Sequence, residues 1–274
     1  MRWLYPKLEK VVPKIAHRFA IRLFFKPFRY PVPDKELKAL TFAQSYIIDV
    51  NGTEVCVYTW GSGERTVLFV HGWAGRATQF RRFVKPFLKS GFKVIAFDAP
   101  AHGRSGGTTA TFKEFEDVIV RLYEKEGTPE GIIAHSYGGS AVLYSAMNGL
   151  PVSRLINIGS PTIGEDIVNT FSAAINAGEE TKAYFYDFIQ KKYGKPFREF
   201  TALHFVSNLP TPIELLLVHD ENDTEASIEH PYELMKVYPA AQLYKTKGLG
   251  HTRILKDNDV IQKCVTFITD PPSA

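Results

Sequence analysis

The chain has 274 residues, 45% of them hydrophobic and 23% charged, the profile of a soluble globular protein rather than a disordered one. Its only cysteines, Cys56 and Cys264, have no CxxC or histidine neighbour, which excludes a disulfide framework and fits reduced thiols in a cytoplasmic protein. The net charge of +4 is uneven: residues 1–40 hold 10 Lys/Arg and 3 Asp/Glu, a net of +7, and the remainder stands at −3, which argues against a nucleic-acid-binding body.

No stretch approaches the ~18 apolar residues of a membrane span. Lys7, Lys10, Lys14, Arg18 and Arg22 interrupt every segment that could form the apolar core of a signal peptide. Leu4, Leu8, Val11, Val12, Ile15 and Phe19 recur at helical spacing among these cations, so residues 1–30 read as a basic amphipathic segment, broken or kinked at Pro13. Two roles are open to it: weak peripheral contact with an anionic membrane, or packing of its apolar residues on the body with the charges in water. Packing is the expectation. Pro31-Val32-Pro33 reads as an extended linker, so residues 1–40 form an N-terminal extension and 41–274 the main domain.

Residues 45–50 and 54–60 read as strands joined by the Asn51-Gly52 turn, a hairpin signal. Strands follow at 66–70, 93–97, 131–134, 154–158, 213–218 and 242–246. Helices are expected at 79–90, 112–125, 137–147, 231–237 and 259–268. Strands separated by helices imply right-handed crossovers, hence an α/β, doubly wound, mostly parallel sheet to which the hairpin adds an antiparallel edge. From about 161 to 210 helical patterns run without a strand and carry Phe171, Tyr184, Phe185, Tyr186, Phe188 and Tyr193. This stretch reads as a helical cap insertion, with Phe171, Tyr184, Phe185 and Phe188 as candidate substrate-binding residues that favour an apolar acyl chain.

Chemistry concentrates at Ala134-His135-Ser136-Tyr137-Gly138-Gly139, between an apolar strand and a helix. A serine on such a sharp turn needs small residues two positions to either side, because the chain segments crowd there. Ala134 and Gly138 meet that need, giving G-x-S-x-G with alanine in first place. Here the sequence resembles the α/β-hydrolase family. Three further stretches, in order, carry the resemblance over residues 45–270. His71-Gly72-Trp73-Ala74-Gly75 is similar to the family's HGxxG oxyanion loop. Asp98-Ala99-Pro100-Ala101-His102-Gly103-Arg104-Ser105 is similar to D-x-P-G-H-G-x-S, with Ala101 in place of a glycine. Gly248-Leu249-Gly250-His251 is similar to the closing G-x-G-H.

The resemblance implies a Ser136–Asp223–His251 triad and an oxyanion hole from the backbone N–H groups of Trp73 and Tyr137. Asp223 comes from His219-Asp220-Glu221-Asn222-Asp223, similar to the family's H-G-x-x-D, with Asp220 where glycine is usual. That departure leaves Asp220 and Glu221 as rivals for the acid. His71 and His102 read as loop braces, and His135 and His219 as partners of backbone groups. No metal-ligand spacing appears, and Gly103–Gly107 lacks the GK[ST] of a phosphate loop, so no metal or cofactor is expected. The implied activity is a serine hydrolase acting on a small-molecule carboxylic ester or thioester with an apolar acyl group. A non-catalytic ligand-binding receptor on the same scaffold, an acyltransferase and a carbon–carbon bond hydrolase are the alternatives. Oligomeric state is not encoded in any of these patterns.

Overall fold

The structure, a computed structural model, describes residues 2–270. Its first layer is helical: α1 (Tyr5–Val11), α2 (Pro13–Phe24) and α3 (Asp34–Leu40). The body then runs β1 (Gln44–Val50), β2 (Thr53–Trp60), β3 (Arg65–Val70), α4 (Arg81–Lys89), β4 (Phe92–Phe97), α5 (Phe112–Glu126), β5 (Gly131–His135), α6 (Tyr137–Met147) and β6 (Arg154–Ile158). Next come α7 (Gly164–Ile175), α8 (Glu179–Tyr193) and α9 (Ala202–Ser207), then β7 (Glu214–Asp220), α10 (Glu229–Val237), β8 (Gln242–Thr246), α11 (Gly250–Arg253) and α12 (Asn258–Thr269).

The eight strands form one sheet in the order β1-β2-β4-β3-β5-β6-β7-β8. β1 pairs antiparallel with β2 and β2 antiparallel with β4, and every pairing from β4 through β8 is parallel. Asn51 and Gly52, both at positive φ, close the β1–β2 hairpin as its twist requires. The central strands are apolar through their middles, as in Val67–Val70, Ile132–Ala134 and Leu215–Val218, because both faces are covered. Alternate residues feed two cores: Leu68, Ile132 and Leu217 face α5, α6, α9 and α10, while Val67, Ile133 and Leu216 face α4 and α12. The expected doubly wound α/β sheet with its antiparallel edge is therefore present, and helices alone fill the insertion between β6 and β7.

Local chemistry sets the helix ends. Thr111 and Glu114 form a reciprocal capping box on α5, and Asp257 accepts from the N–H groups of Asp259 and Val260 to start α12. Pro13 occupies the first position of α2, where its missing N–H costs nothing, and splits the N-terminal segment in two. α3 went unexpected, because its seven residues follow the Pro31–Pro33 linker and show no clear apolar face.

The N-terminal segment packs, but of Leu4, Leu8, Val11, Ile15 and Phe19, the residues expected to pack, Leu8 alone joins the buried contact. Tyr5, Ala16, Ala20 and Ile175 form one buried cluster, and Ile21 joins Val168, Phe185, Ile189 and Phe197 in another. α1 and α2 thus lie on α7 and α8 and share the cap layer with them. Leu4, Val11, Ile15 and Phe19 point to solvent. The reason is geometric: residues 16, 17, 20 and 21 lie on the opposite side of α2 from 15 and 19, and the two alanines allow close helix approach.

Candidate functional site

Ser136 stands between β5 and α6 at φ 51°, ψ −126°, a strained conformation for a residue with a Cβ. The surroundings hold it there. Its N–H donates to the Ile158 carbonyl at 2.8 Å, and its carbonyl accepts from the Ser160 hydroxyl and from the Gly139 N–H. Gly138 is required because a Cβ would lie 2.5 Å from the His71 carbonyl oxygen, in the loop after β3. At Gly139 a Cβ would fall 1.6 Å from Asn157 Oδ1. Ala134, buried in β5, is accommodated at the position where the motif has its first glycine.

The acid candidates separate by position. Asp223, in the loop after β7, accepts from His251 Nδ1 at 2.7 Å through Oδ2, and from the N–H groups of Glu225 (2.8 Å) and Ala226 (3.0 Å) through Oδ1. Asp220, fully buried, accepts from the Asn222 N–H, the Thr246 hydroxyl and the Leu249 N–H, and so braces the loop that leads to His251. Glu221 pairs with Lys245 at the surface, 3.2 Å away. Asp223 is the one of the three in contact with the histidine.

Burial works against both charges of this pair, and their mutual contact outweighs it. For Asp223, burial pushes the carboxyl up, but the His251 hydrogen bond and the Ala226 N–H hold it below the ordinary carboxylate range. For His251, burial pushes the imidazole down, but the hydrogen bond and charge of Asp223, with a smaller contribution from Glu225, raise it above its ordinary value.

Ser136 and His251 line one cavity of about 290 Å³. Trp73 and Tyr137 also line it, their rings 5.1 Å apart and edge to face. Tyr137 is the first residue of α6, so its N–H is among the donors a helix leaves free. The roof comes from α7 (Ile167, Thr170, Phe171, Ala174) and from Phe24 and Phe25 at the end of α2. Of the candidate cap aromatics, Phe171 reaches this cavity. Phe185 is buried against Phe24 and Phe197, with ring centroids 4.6 and 5.2 Å away. Tyr184 and Phe188 line a separate hollow with Arg18 and Arg22. Packing among the cap helices, which local sequence does not reveal, decides this division.

Five other histidines, His71, His102, His135, His219 and His230, brace the surrounding loops, and burial lowers the pKa of each. His71 Nε2 accepts from the Ala99 N–H at 2.9 Å and its Nδ1 donates to the Gly72 carbonyl; burial holds the ring down to about 4. Burial likewise brings His102 and His135 down to about 3. His102 donates to the Pro100 carbonyl, and His135 to the carbonyl of His251. His219 donates to the Ala226 carbonyl at 2.8 Å, fixing the loop that holds Asp223. His230 accepts from the N–H groups of Thr162 and Ile163, tying the start of the insertion to α10. Asp98 anchors the neighbouring loop by accepting from the Ala77 and Arg104 N–H groups and the Tyr58 hydroxyl, and Ala101 takes φ 65° where the resemblance has glycine.

The cavity residues that the sequence did not single out include Phe24, Phe25, Asp166, Glu225 and His230. Glu225 Oε2 lies 3.8 Å from His251 Nε2, and Asp166 Oδ2 lies 3.8 Å from His230 Nε2. Among the described residues that line the cavity there is no Lys or Arg.

With this geometry in hand, comparison with known proteins is specific about family. Residues 67–261 match the family described as the alpha/beta hydrolase family. A bifunctional esterase/perhydrolase of Acinetobacter calcoaceticus is 29% identical over 103 residues, 36% of this chain and 37% of that one. The dihydrolipoyllysine-residue acetyltransferase component of an acetoin cleaving system from Cupriavidus necator is 29% identical over 125 residues, 44% of this chain and 33% of that one. The chain thus spans about a third of the length of these curated relatives. Among solved structures, an esterase of Pyrococcus furiosus superposes with a TM-score of 0.66 at 20% identity, covering 89% of this chain and 95% of its own. A thioesterase domain from the curacin biosynthetic pathway gives 0.61 at 16% identity, covering 83% and 99%. These structural likenesses share the fold, and the family match over 67–261 identifies the chain as a member of the alpha/beta hydrolase family.

Proposed function

We propose that this protein is a serine hydrolase that cleaves uncharged carboxylic esters with apolar acyl chains. The observation that carries the reading is the Asp223–His251 hydrogen bond at the edge of the cavity that Ser136 lines. Ser136 Oγ attacks the acyl carbon while His251 Nε2 takes its proton. Asp223 orients the ring through Nδ1–H and stabilises the imidazolium that forms. The N–H groups of Trp73 and Tyr137 receive the oxyanion, each such donor being worth roughly 3–4 kcal/mol of barrier. His251 then returns the proton to the departing alcohol, and water repeats the sequence on the acyl-enzyme.

The walls support the choice of substrate. Ile167, Phe171, Ala174, Phe24 and Phe25 offer apolar surface, and each acyl methylene they bury contributes up to about 0.8 kcal/mol. Asp166 and Glu225, with no cation in the lining, disfavour an anionic substrate such as a coenzyme A thioester. The test is covalent labelling with a fluorophosphonate, run beside hydrolysis of p-nitrophenyl esters from acetyl to octanoyl and of acyl-CoA thioesters. Ser136 should be the labelled residue, and kcat/KM should rise with chain length and be low for the thioesters. Ser136→Ala should abolish labelling and lower kcat by up to ~10⁶. Retention of both activities by Ser136→Ala would overturn the assignment, and a flat chain-length profile would remove the apolar acyl site.

A further inference from the structure

We propose that the outer face of α1 and α2 docks on an anionic bilayer surface. On α2, Lys14, Ile15, Arg18, Phe19 and Arg22 fall on a single helical face, and Val11, the last residue of α1, stands just before the break at Val12. All six are exposed, and the apolar members are not marginal cases: Val11 is 78% and Ile15 65% accessible. α1 extends the same character. Trp3 is 75% accessible, and the Lys7 ammonium sits 3.4 Å over its ring.

The charge on this face is of one sign. Glu9 is the only acidic residue among residues 1–30, and it is turned away, accepting from the Gly178 N–H and the Thr181 hydroxyl. Among the described residues, none of Lys7, Lys10, Lys14, Arg18 and Arg22 pairs with a carboxylate. The inward side is already satisfied by the packing of Tyr5, Ala16, Ala20 and Ile21, so the outward cations and apolar side chains are not part of the fold's own core.

Interleaved apolar and cationic side chains match one kind of surface. The acyl–headgroup boundary takes Val11, Ile15, Phe19 and Trp3, while the cations reach the phosphate layer. A second copy of the chain fits poorly, since a two-fold contact would appose the same cations. A nucleic acid would leave the valine and isoleucine without a role. The location adds a consequence: α2 ends at Phe24, and Phe24 and Phe25 line the Ser136 cavity. The helix that would lie on the bilayer is thus also part of the wall around the bound acyl chain.

The experiment is co-sedimentation of the full chain with mixed phosphatidylglycerol–phosphatidylcholine vesicles, against pure phosphatidylcholine vesicles. Binding should require phosphatidylglycerol and weaken with salt. Replacement of Lys10, Lys14 and Arg18 by Glu should abolish it. A single Lys14→Ser should weaken partition about fivefold. Val11→Ser with Ile15→Ser, which leaves the charge intact, should also weaken it. All these positions are exposed and outside the cavity, so hydrolysis of a soluble ester should be unchanged in every variant. Because the readout is binding, it does not depend on which bond the enzyme cleaves. Three results would overturn the proposal: no binding to anionic vesicles, duplex DNA binding of equal strength that ignores the Val11/Ile15 change, or a dimer in sedimentation that the same changes dissociate.

Discussion

Two regions meet over Ser136, and they are held by different means. Along the carboxyl edge of the sheet, polar side chains lock loops to backbone groups: Asp98 on Ala77 and Arg104, Asp220 on Leu249 and Asn222, His71 on Ala99, His219 on Ala226. In the cap layer of α1, α2, α7 and α8, aromatic rings touch edge to face, as Phe24 does with Phe171 and Phe25. Hydrogen bonds have fixed lengths and directions and define a geometry to a fraction of an ångström. Apolar contacts are non-directional and tolerate repacking. The difference bears on the proposed mechanism, in which the reaction depends on the first region and the choice of acyl group on the second.

The comparison can be broken first at the acid. Asp223→Asn should lower kcat by roughly 10⁴, because the amide would favour the wrong histidine tautomer. Asp220→Asn should cost far less in kcat but lower the melting temperature, since its three donors hold the loop before His251 rather than the ring itself. Parallel measurement of kcat and thermal unfolding on both variants separates the roles. A larger kcat loss in Asp220→Asn would move the acid to that position.

In the cap, the effects should fall on stability and selectivity instead. Phe185 is buried between Phe24 and Phe197, and Phe185→Ala should destabilise the protein by about 3–5 kcal/mol in denaturant unfolding. Phe171 lines the cavity, so Phe171→Ala should raise KM for octanoyl esters severalfold, with little change for acetyl esters and little change in kcat. If Phe171→Ala instead reduces kcat equally for all chain lengths, the cap takes part in positioning the reacting atoms and the division between the regions fails.

The same contrast explains what the sequence disclosed. Short-range patterns carry the sheet: apolar runs for parallel strands, Asn51-Gly52 for the hairpin, Ala134 and Gly138 around Ser136. The resemblance pointed to Asp223 as the acid, but separating it from Asp220 and Glu221 takes three-dimensional information, because the three lie within four positions and only backbone direction distinguishes a brace from a partner of His251. Phe24, from the far N-terminal end, reaches the cavity through helix packing over more than a hundred residues of separation. No local pattern encodes that contact, nor the division of Phe171 from Phe185. The amphipathic period of residues 1–22 was readable, yet the side that packs depends on small residues, Ala16 and Ala20, whose burial a search for large apolar residues overlooks.

The smallest expected effect tests a residue that belongs to neither region fully. Glu225 is exposed, but its carboxylate lies 3.8 Å from His251 Nε2, the atom that takes the proton of Ser136 in the proposed mechanism. In the proposed mechanism His251 acts as a base only when neutral, so the rate should fall as pH drops through its pKa. Burial lowers that pKa, and the contact with Asp223, aided by the charge of Glu225, raises it above the ordinary histidine value. Glu225→Gln removes the smaller of the two stabilising charges. The acid limb of kcat/KM should therefore shift to lower pH, by less than in Asp223→Asn, leaving the enzyme relatively more active in mild acid. Because solvent ions reach Glu225, the gap between wild type and Glu225→Gln should narrow in high salt. The Asp223 contribution, made through a buried hydrogen bond, should persist. A shift to higher pH, or one that salt leaves intact, would mean that Glu225 acts by some contact other than its charge on the ring.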